Sequence, residues 1–245
     1  DTRTALLVVA DDDEPILRAL AASRPSERGP WDVIRRGAPL DELLLRADLL
    51  QHQVEAQREM DRLRHLATHD DRTDLLRPQV FQDQLRAHFS ASQRHHLNLA
   101  LLLIDLDEFG QINKLHNHTI GDTVITQVGA TIRGALRAED VAARLGGDEF
   151  CVLLPYTRKV DAARVVQRLL DQIRELSGEL PGATGRIEVG ASIGFETFNG
   201  SDLDSVERLR LHAEEALRQS KRGGGNRGVY YRQLDAPLLG GSAHE

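Results

Sequence analysis

Two short acidic clusters are the part of the sequence best suited to chemistry. Asp148 and Glu149 are adjacent and follow two glycines, and Asp105 and Asp107 follow an apolar run. Neighbouring carboxylates repel each other unless a cation or a proton lies between them. A solvated acidic turn would account for one such pair alone. The second cluster weakens that explanation, so the pattern favours a site at which a cation or a proton offsets carboxylate charge.

A β-hairpin is predicted to carry Asp148 and Glu149 at its tip. The dipeptide Gly146-Gly147 is typical of a hairpin turn, and short apolar runs flank it. The apolar run 97–104 predicts a buried strand that ends just before Asp105. Further elements are predicted as helices over 79–89, 124–136, 160–176 and 203–222, and as strands over 186–195 and 229–231. This interleaving predicts an α/β (α+β) fold with a central, mostly antiparallel sheet and flanking helices.

The segment before this domain has a different pattern. Residues 5–10 and 31–34 are predicted as strands, with an acidic turn and a short helix over 16–22 between them. This order loosely resembles the back half of a response-regulator receiver domain. The front half, which would carry the phosphorylated aspartate, is not in the sequence. We therefore expect either a truncated receiver or a small degenerate α/β module.

A long helix is predicted to connect the two parts, because residues 40–68 contain no glycine or further proline and are rich in good helix formers. A heptad-like stripe recurs along it at Leu49, Gln53, Ala56, Met60, Leu63 and Ala67. The helix either packs on its own domain or dimerises, and its length favours dimerisation. The predicted parts are a partial receiver-like segment (1–40), a signalling helix (41–68), an α/β domain (69–232) and a flexible tail (233–245).

Composition narrows the function classes. The net charge of −7 and the pI near 5.8 argue against a surface for DNA or RNA. One cysteine in 245 residues excludes a disulfide framework and a cysteine-rich zinc site, and is typical of a reducing compartment. No apolar run is long enough for a membrane span. We expect a soluble, cytoplasmic protein.

Several separated motifs resemble those of GGDEF-domain diguanylate cyclases, in order and in spacing. They are Asp105-Leu106-Asp107-Glu108-Phe109, Asn113, His118, Gly121-Asp122, Arg137 with Asp140, Arg144-Leu145-Gly146-Gly147-Asp148-Glu149-Phe150, Ala191-Ser192-Ile193-Gly194, Ser220-Lys221, Gly224 and Asn226. The resemblance covers most of the segment 69–232. It implies condensation of two GTP into cyclic di-GMP, on a fold similar to the palm of nucleotidyl cyclases and polymerases.

The resemblance also implies a metal site. Asp105, Asp148 and the backbone carbonyl of Leu106 would hold Mg²⁺, with Mn²⁺ as an alternative. Such hard cations prefer oxygen ligands. Glu149 would be a further ligand or the general base for the attacking 3′-hydroxyl. Asp107 is interpreted as a structural cap outside the metal site.

Substrate and effector residues follow from the same motifs. Asn113 and Asp122 resemble guanine readers, His118 matches a histidine in the same loop, Lys221 would hold the triphosphate, and Gly146 and Gly147 would let the backbone approach the nucleotide. Arg137 and Asp140, with Arg168 on a later helix, match a site at which cyclic di-GMP inhibits the enzyme. One domain holds one GTP, so two domains must face each other, most simply in a homodimer.

The chain departs from the family pattern at four positions. Gly110 and Gly225 replace the usual Lys and Arg, Asn117 replaces a glycine, and Asp74 replaces the glycine of Thr-Gly-Leu. Losing two cations near a triphosphate predicts weaker GTP binding or slower turnover, unless other basic residues compensate. A receptor for cyclic di-GMP or GTP without catalysis is the main alternative, and a scaffold is a weaker one.

Overall fold

The computed structural model describes residues 5–10 and 30–233. It divides into two compact units, Asp1–Ala67 and Thr68–Glu245. The short helix expected after the first strand and the tail from residue 234 onward lie outside the described residues. No helix among the residues described is both long and apolar enough to cross a membrane.

The first unit contains two strands and all but the last residue of a long helix. Strands β1 (Leu6–Ala10) and β2 (Trp31–Arg35) pair in parallel. Helix α1 (Leu40–Thr68) runs for 29 residues. Arg46 of α1 donates to Asp32 of β2 and to Glu42 one turn earlier, so the helix start is fastened to the strand pair.

The second unit is built on a five-stranded sheet. Its order is β4-β5-β3-β8-β9, and every pair is antiparallel except β8 with β9. The strands are β3 (Leu99–Leu106), β4 (Val141–Gly146), β5 (Glu149–Pro155), β8 (Ala191–Phe198) and β9 (Gly228–Tyr230). A separate ribbon pairs β6 (Gly178–Glu179) with β7 (Arg186–Ile187). The predicted central, mostly antiparallel sheet is confirmed.

Helices cover both faces of this sheet. They are α2 (Pro78–His95), α3 (Phe109–His116), α4 (His118–Ala135), α5 (Lys159–Arg174) and α6 (Val206–Arg222). Side chains alternate along a strand, so Ala100, Leu102 and Ile104 of β3 join a core with α3, α4 and α5. Leu101 and Leu103 join a second core with α2 and α6. Every residue of β3 is therefore buried.

Some element boundaries differ from the prediction. Strand β3 begins at Leu99, because His96 ends α2 in a left-handed turn with φ of 52°. The strand also continues through Asp105, which the prediction placed just past its end. The strand predicted over 186–195 is divided into β7 and β8, since Gly190 leaves the ladder and its carbonyl accepts from the Asp107 N–H. Helix α2 is longer than predicted, and α3 and β6 were not predicted.

Candidate active site

Asp105 occupies the centre of the site, on the middle strand of the sheet. It pairs directly with Glu149 of β5 on one side and with Ser192 of β8 on the other. Directly opposite residues of an antiparallel pair project to the same face, about 5 Å apart at Cβ. Asp105 is only 7% exposed. The strand register therefore places a buried carboxylate beside the exposed one of Glu149.

The hairpin between β4 and β5 supplies the other carboxylates. Gly146 pairs with Glu149, which leaves Gly147 and Asp148 as a two-residue turn. The φ angles of 151° at Gly146 and 53° at Gly147 are in the region that glycine adopts most easily. The register shifts at Leu145, as in a β-bulge, a feature common beside active sites.

The hairpin turn is fastened to the central strand by backbone contact. Leu106 N–H donates to the Asp148 carbonyl over 3.2 Å. Leu106 is itself buried at the end of β3. The turn that carries Asp148 is thus held against the strand end that carries Asp105.

Burial and neighbouring negative charges disfavour the ionised form of Asp105. Burial raises the pKa of Asp105 above its ordinary value, and the negative charges of Asp148 and Glu149 raise the pKa further. The Lys221 ammonium opposes this rise, with Nζ 2.6 Å from Asp105 Oδ2. A cation placed among these carboxylates would relieve the same repulsion.

The donor atoms suit a hard divalent cation. Among residues 5–10 and 30–233, no group of three or more His, Cys, Asp or Glu side chains is arranged to hold a metal ion by itself. Mg²⁺ is commonly held by one or two carboxylates together with substrate phosphates and water. Asp105, Asp148 and the Leu106 carbonyl fit such a partial oxygen set, with Glu149 beside it.

Asp107 is engaged in a different way. Its Oδ1 accepts from Ser192 Oγ at 2.7 Å and its Oδ2 accepts from the Asn226 N–H at 2.6 Å. The carboxylate therefore ties the end of β3 to β8 and to the glycine-rich loop after α6. These contacts agree with the structural interpretation of this residue.

The glycine-rich loop after Lys221 leaves no room for a side chain at Gly225. Its φ is 72°, and a Cβ atom would lie 2.8 Å from the Asp107 carboxylate. The Gly225 N–H donates to the Ser220 carbonyl, and Ser220 Oγ donates to the Arg227 carbonyl. The departure from the family pattern at Gly225 is therefore built into the packing of this loop.

The residues expected to read guanine lie together on α3 and α4. A Cβ atom on Gly121 would come 2.0 Å from Asn113 Oδ1, so the Asn113 amide packs onto Gly121, next to Asp122. Asn117 caps α4 by accepting from the Ile120 N–H, with φ of 81°. With ψ of 167°, that backbone conformation is one that glycine adopts far more easily than any other residue, so glycine suits this position and Asn117 is strained here.

His118 and Arg72 complete this region. His118 is the first residue of α4 and is exposed. Arg72, in the turn that follows α1, forms an ion pair from Nη1 to Asp122 Oδ1. The sequence analysis assigned no role to Arg72.

Arg144 is a second residue that the sequence analysis left without a role. Its guanidinium donates to the Gly147 carbonyl from Nε and Nη2, at 3.1 and 2.8 Å, and to Asp70 from Nη1. The side chains of Arg144 and Asp70 are only 11% and 18% exposed. Burial would raise the pKa of Asp70, but hydrogen bonds from Thr73 and the Arg144 charge outweigh it and lower the pKa. The presence of an arginine within an apolar hairpin strand is the sequence signal that could have identified this contact.

The residues expected to bind an inhibitor also lie together. Arg137 and Asp140 close a turn, since the Arg137 N–H donates to Asp140 Oδ2 at 2.9 Å. Arg168 of α5 donates to the Ala135 carbonyl at 2.6 Å. Burial raises the pKa of Asp140, and the Arg137 N–H and the charges of Arg137 and Arg168 oppose the rise.

Comparison with known proteins supports the pattern of motifs and geometry. The family "Diguanylate cyclase, GGDEF domain" matches residues 67–227, about two thirds of the 245 residues. The chain belongs to this family. Most of the GGDEF domain of the chain therefore lies in the second compact unit.

Individual curated proteins with cyclase activity in their names are similar to this chain in sequence. The diguanylate cyclase TpbB of Pseudomonas aeruginosa is 37% identical over 200 residues, which are 81% of this chain and 45% of TpbB. MucR of the same organism, a bifunctional diguanylate cyclase/cyclic di-GMP phosphodiesterase, is 32% identical over 161 residues, 66% of this chain and 23% of MucR. This chain spans less than half the length of these two curated relatives.

A solved structure has the same fold. The coiled coil and GGDEF domain of DgcB from Caulobacter crescentus, in complex with c-di-GMP, matches with a TM-score of 0.67 and 25% identity. The match covers 76% of this chain and 98% of the DgcB chain.

Proposed function

We propose that this chain is a diguanylate cyclase that condenses two GTP into cyclic di-GMP and releases two pyrophosphates. The observation that carries the proposal is the register of β3 with β5, which places Asp105 beside Glu149. The hairpin adds Asp148, and Lys221 adds a cation. This combination of oxygen ligands and an ammonium suits the triphosphate of a nucleotide.

The proposed reaction assigns one role to each residue of the site. The 3′-hydroxyl oxygen of one GTP forms a bond to the α-phosphorus of the other, and the bond from that phosphorus to pyrophosphate breaks. Glu149, the exposed carboxylate, accepts the hydroxyl proton. Lys221 neutralises phosphate charge. Mg²⁺, held by Asp105, Asp148 and the Leu106 carbonyl, would supply charge neutralisation at the phosphate, with Mn²⁺ as a substitute.

Guanine recognition is assigned to the α3–α4 region. Asp122 can accept from the N1 and N2 hydrogens of guanine, and the Asn113 amide can both donate and accept. His118 contributes from the start of α4. Adenine is disfavoured because it would leave these polar groups without partners.

The proposal includes a homodimer. Joining two nucleotides by two 3′–5′ bonds requires two domains that face each other. The heptad-like stripe of α1 offers a surface for pairing, since all six of its residues are exposed: Leu49, Gln53, Ala56, Met60, Leu63 and Ala67. Leu50 and Val54, on another side of the helix, are buried.

Product inhibition is proposed at Arg137, Asp140 and Arg168. An arginine can donate two hydrogen bonds to guanine O6 and N7. A cavity of about 370 Å³ is lined by Arg137 and Asp140. Cyclic di-GMP bound there would lower activity through a coupling between distinct sites.

The proposal also covers the N-terminal segment and the cellular location of the chain. The parallel pair of β1 and β2 supports a receiver-like origin for the N-terminal segment. GTP as the substrate, together with the single cysteine, supports a cytoplasmic location.

A receptor without catalysis is the second candidate. The observation that favours it is Gly225, where the loop has no space for the cation usual in the family. Gly110 removes another such cation from the start of α3.

Turnover of GTP with Mg²⁺, measured across a range of protein concentrations, separates these candidates. A cyclase should form cyclic di-GMP at a rate that rises more than linearly with protein, and Asp148→Ala should abolish it. Arg137→Ala should retain turnover but lose most of the inhibition by added cyclic di-GMP. No product at any concentration, together with cyclic di-GMP binding that is lost in Arg137→Ala, would establish the receptor instead.

A further inference from the structure

The ion pair between Arg72 and Asp122 joins a cation to the carboxylate assigned to guanine. Arg72 Nη1 donates a hydrogen bond to Asp122 Oδ1. The two side chains are 46% and 44% exposed, so both remain accessible to a ligand. The Asp122 Oδ2 atom and the other guanidinium donors of Arg72 have no hydrogen-bond partner among the described residues.

The turn that presents Arg72 is held firmly. The Arg72 and Thr73 N–H groups both donate to Asp70 Oδ1, at 3.3 and 3.0 Å. Asp70 is fixed in turn by Arg144, and the Asp74 N–H donates to the Asp70 carbonyl at 2.9 Å. Arg72 thus projects from a pre-ordered backbone, which lowers the entropy cost of using it for binding.

The pair presents hydrogen-bond donors next to acceptors. Guanine has the complementary order along its edge, with the N1 and N2 hydrogens followed by the O6 and N7 acceptors. Adenine presents an amino group where guanine has O6, so it would place hydrogens against the guanidinium. An arginine fork matches O6 and N7 better than any other side chain does.

We propose that Arg72 is a specificity-determining residue for GTP, which donates to guanine O6 and N7 while Asp122 accepts from N1 and N2. This inference rests on the proposed function, because it assumes that GTP binds at Asp122. Arg72 would add a contact to the guanine base. At the same site, Gly110 and Gly225 replace two cations that are usual in the family near the triphosphate.

The test compares GTP with 7-deaza-GTP, which lacks only the N7 acceptor. Binding is measured by calorimetry in a Glu149→Gln background, so that the nucleotide is not consumed. We expect 7-deaza-GTP to bind roughly five-fold more weakly than GTP, the loss of one hydrogen bond. Arg72→Met should weaken GTP by about ten-fold or more and bind both nucleotides equally.

Two variants serve as controls. Arg133→Met removes an arginine that pairs with Asp74 of the same turn and is 51% exposed, so it should keep the preference for GTP over 7-deaza-GTP. Arg72→Lys keeps the charge without the fork, so it should retain part of the affinity and show a smaller preference for GTP over 7-deaza-GTP than the parent does.

Each remaining outcome is decisive. Equal affinity of the parent for GTP and 7-deaza-GTP overturns the role of Arg72 while leaving the proposed function intact. Tighter GTP binding in Arg72→Met also overturns it, since Arg72 would then screen Asp122 from the base. Absence of GTP binding both in the Glu149→Gln protein and with Glu149 intact refutes the proposed function, and the inference with it.

Discussion

Asp105 and Asp107, at the end of β3, are close in sequence but differ in their surroundings. Asp105 is buried beside other carboxylates, and its pKa is raised. Asp107 accepts hydrogen bonds from Ser192 and Asn226. Asp105 therefore carries a charge that lowers stability, as the proposed ligand role would require, whereas Asp107 stabilises the fold through its hydrogen bonds.

Asp105→Asn should raise the melting temperature at neutral pH, while abolishing turnover. Burial and the charges of Asp148 and Glu149 disfavour the ionised form, so removing the charge stabilises the folded state. A raised folded-state pKa means that this penalty is present above the pKa and disappears as pH falls through it. Melting curves of both proteins between neutral and acidic pH should therefore converge at low pH.

Asp107→Asn is the matched control. It should lower the melting temperature at neutral pH and reduce the free energy of unfolding by about 1 kcal/mol or more. The reason is that a carboxylate that accepts two hydrogen bonds is lost. If Asp105→Asn were equally destabilising, the Lys221 contact would outweigh burial and repulsion, contrary to our reading of this site.

The two glycines that replace family cations should respond differently to restoration. A Cβ atom on Gly110 meets no atom within 4 Å, whereas Gly225 has φ of 72° and packs against Asp107. Gly110→Lys should leave the fold intact and tighten GTP binding about ten-fold through a charge-assisted contact. Gly225→Arg should instead cost about 2 kcal/mol of stability and weaken GTP binding.

Calorimetric GTP affinity and melting temperature, measured on both glycine variants, check this contrast. A stable Gly225→Arg protein with tighter GTP binding would show that the loop rearranges around Asp107. The departure at Gly225 would then be a simple loss of a cation.

At the scale of elements, the hairpin depends on a brace from outside it. Gly147 and Asp148 form a turn whose carbonyl at Gly147 accepts from Arg144, and Arg144 also binds Asp70. The Asp70 turn follows α1 directly in the chain. Correct placement of Asp148 thus depends on a residue 78 positions earlier in the sequence.

Arg144→Gln should destabilise the second unit by about 2 to 3 kcal/mol, because it leaves a mostly buried Asp70 without its cation. Turnover should fall further than the loss of folded protein explains, since the turn that carries Asp148 is no longer held. Denaturant unfolding and kcat on the same samples separate the two effects. Arg218→Gln, which removes an exposed pair with Glu215, should change stability by less than about 1 kcal/mol.

At the scale of the whole molecule, activity should depend on α1. Leu63→Glu places a charge on the exposed stripe, at a position that precedes the GGDEF match over residues 67–227. We expect dimer formation and specific activity to fall together, with activity partly recovered at high protein concentration. Analytical ultracentrifugation and GTP turnover measure the two quantities, and Arg62→Glu, beside the stripe, is the matched control. Full activity in a monomeric Leu63→Glu protein would contradict the dimer.

Local sequence determined much of the fold and of the candidate site. The apolar alternation and the Gly146-Gly147 turn predicted the hairpin, and the absence of helix breakers predicted α1. These signals are local, because hydrogen bonds within a helix or across a tight turn join residues close in sequence. The candidate residues came from the resemblance of separated motifs to those of a known family, and each motif occupies one turn or strand end.

Only the tertiary structure decided which of these residues meet. The register of β3 against β5 and β8 placed Asp105 inside the strand, opposite Glu149 and Ser192. The contacts of Arg72 with Asp122 and of Arg144 with Asp70 join residues 50 and 74 positions apart. Such contacts depend on how helices and strands pack against each other, and local sequence patterns do not specify that packing.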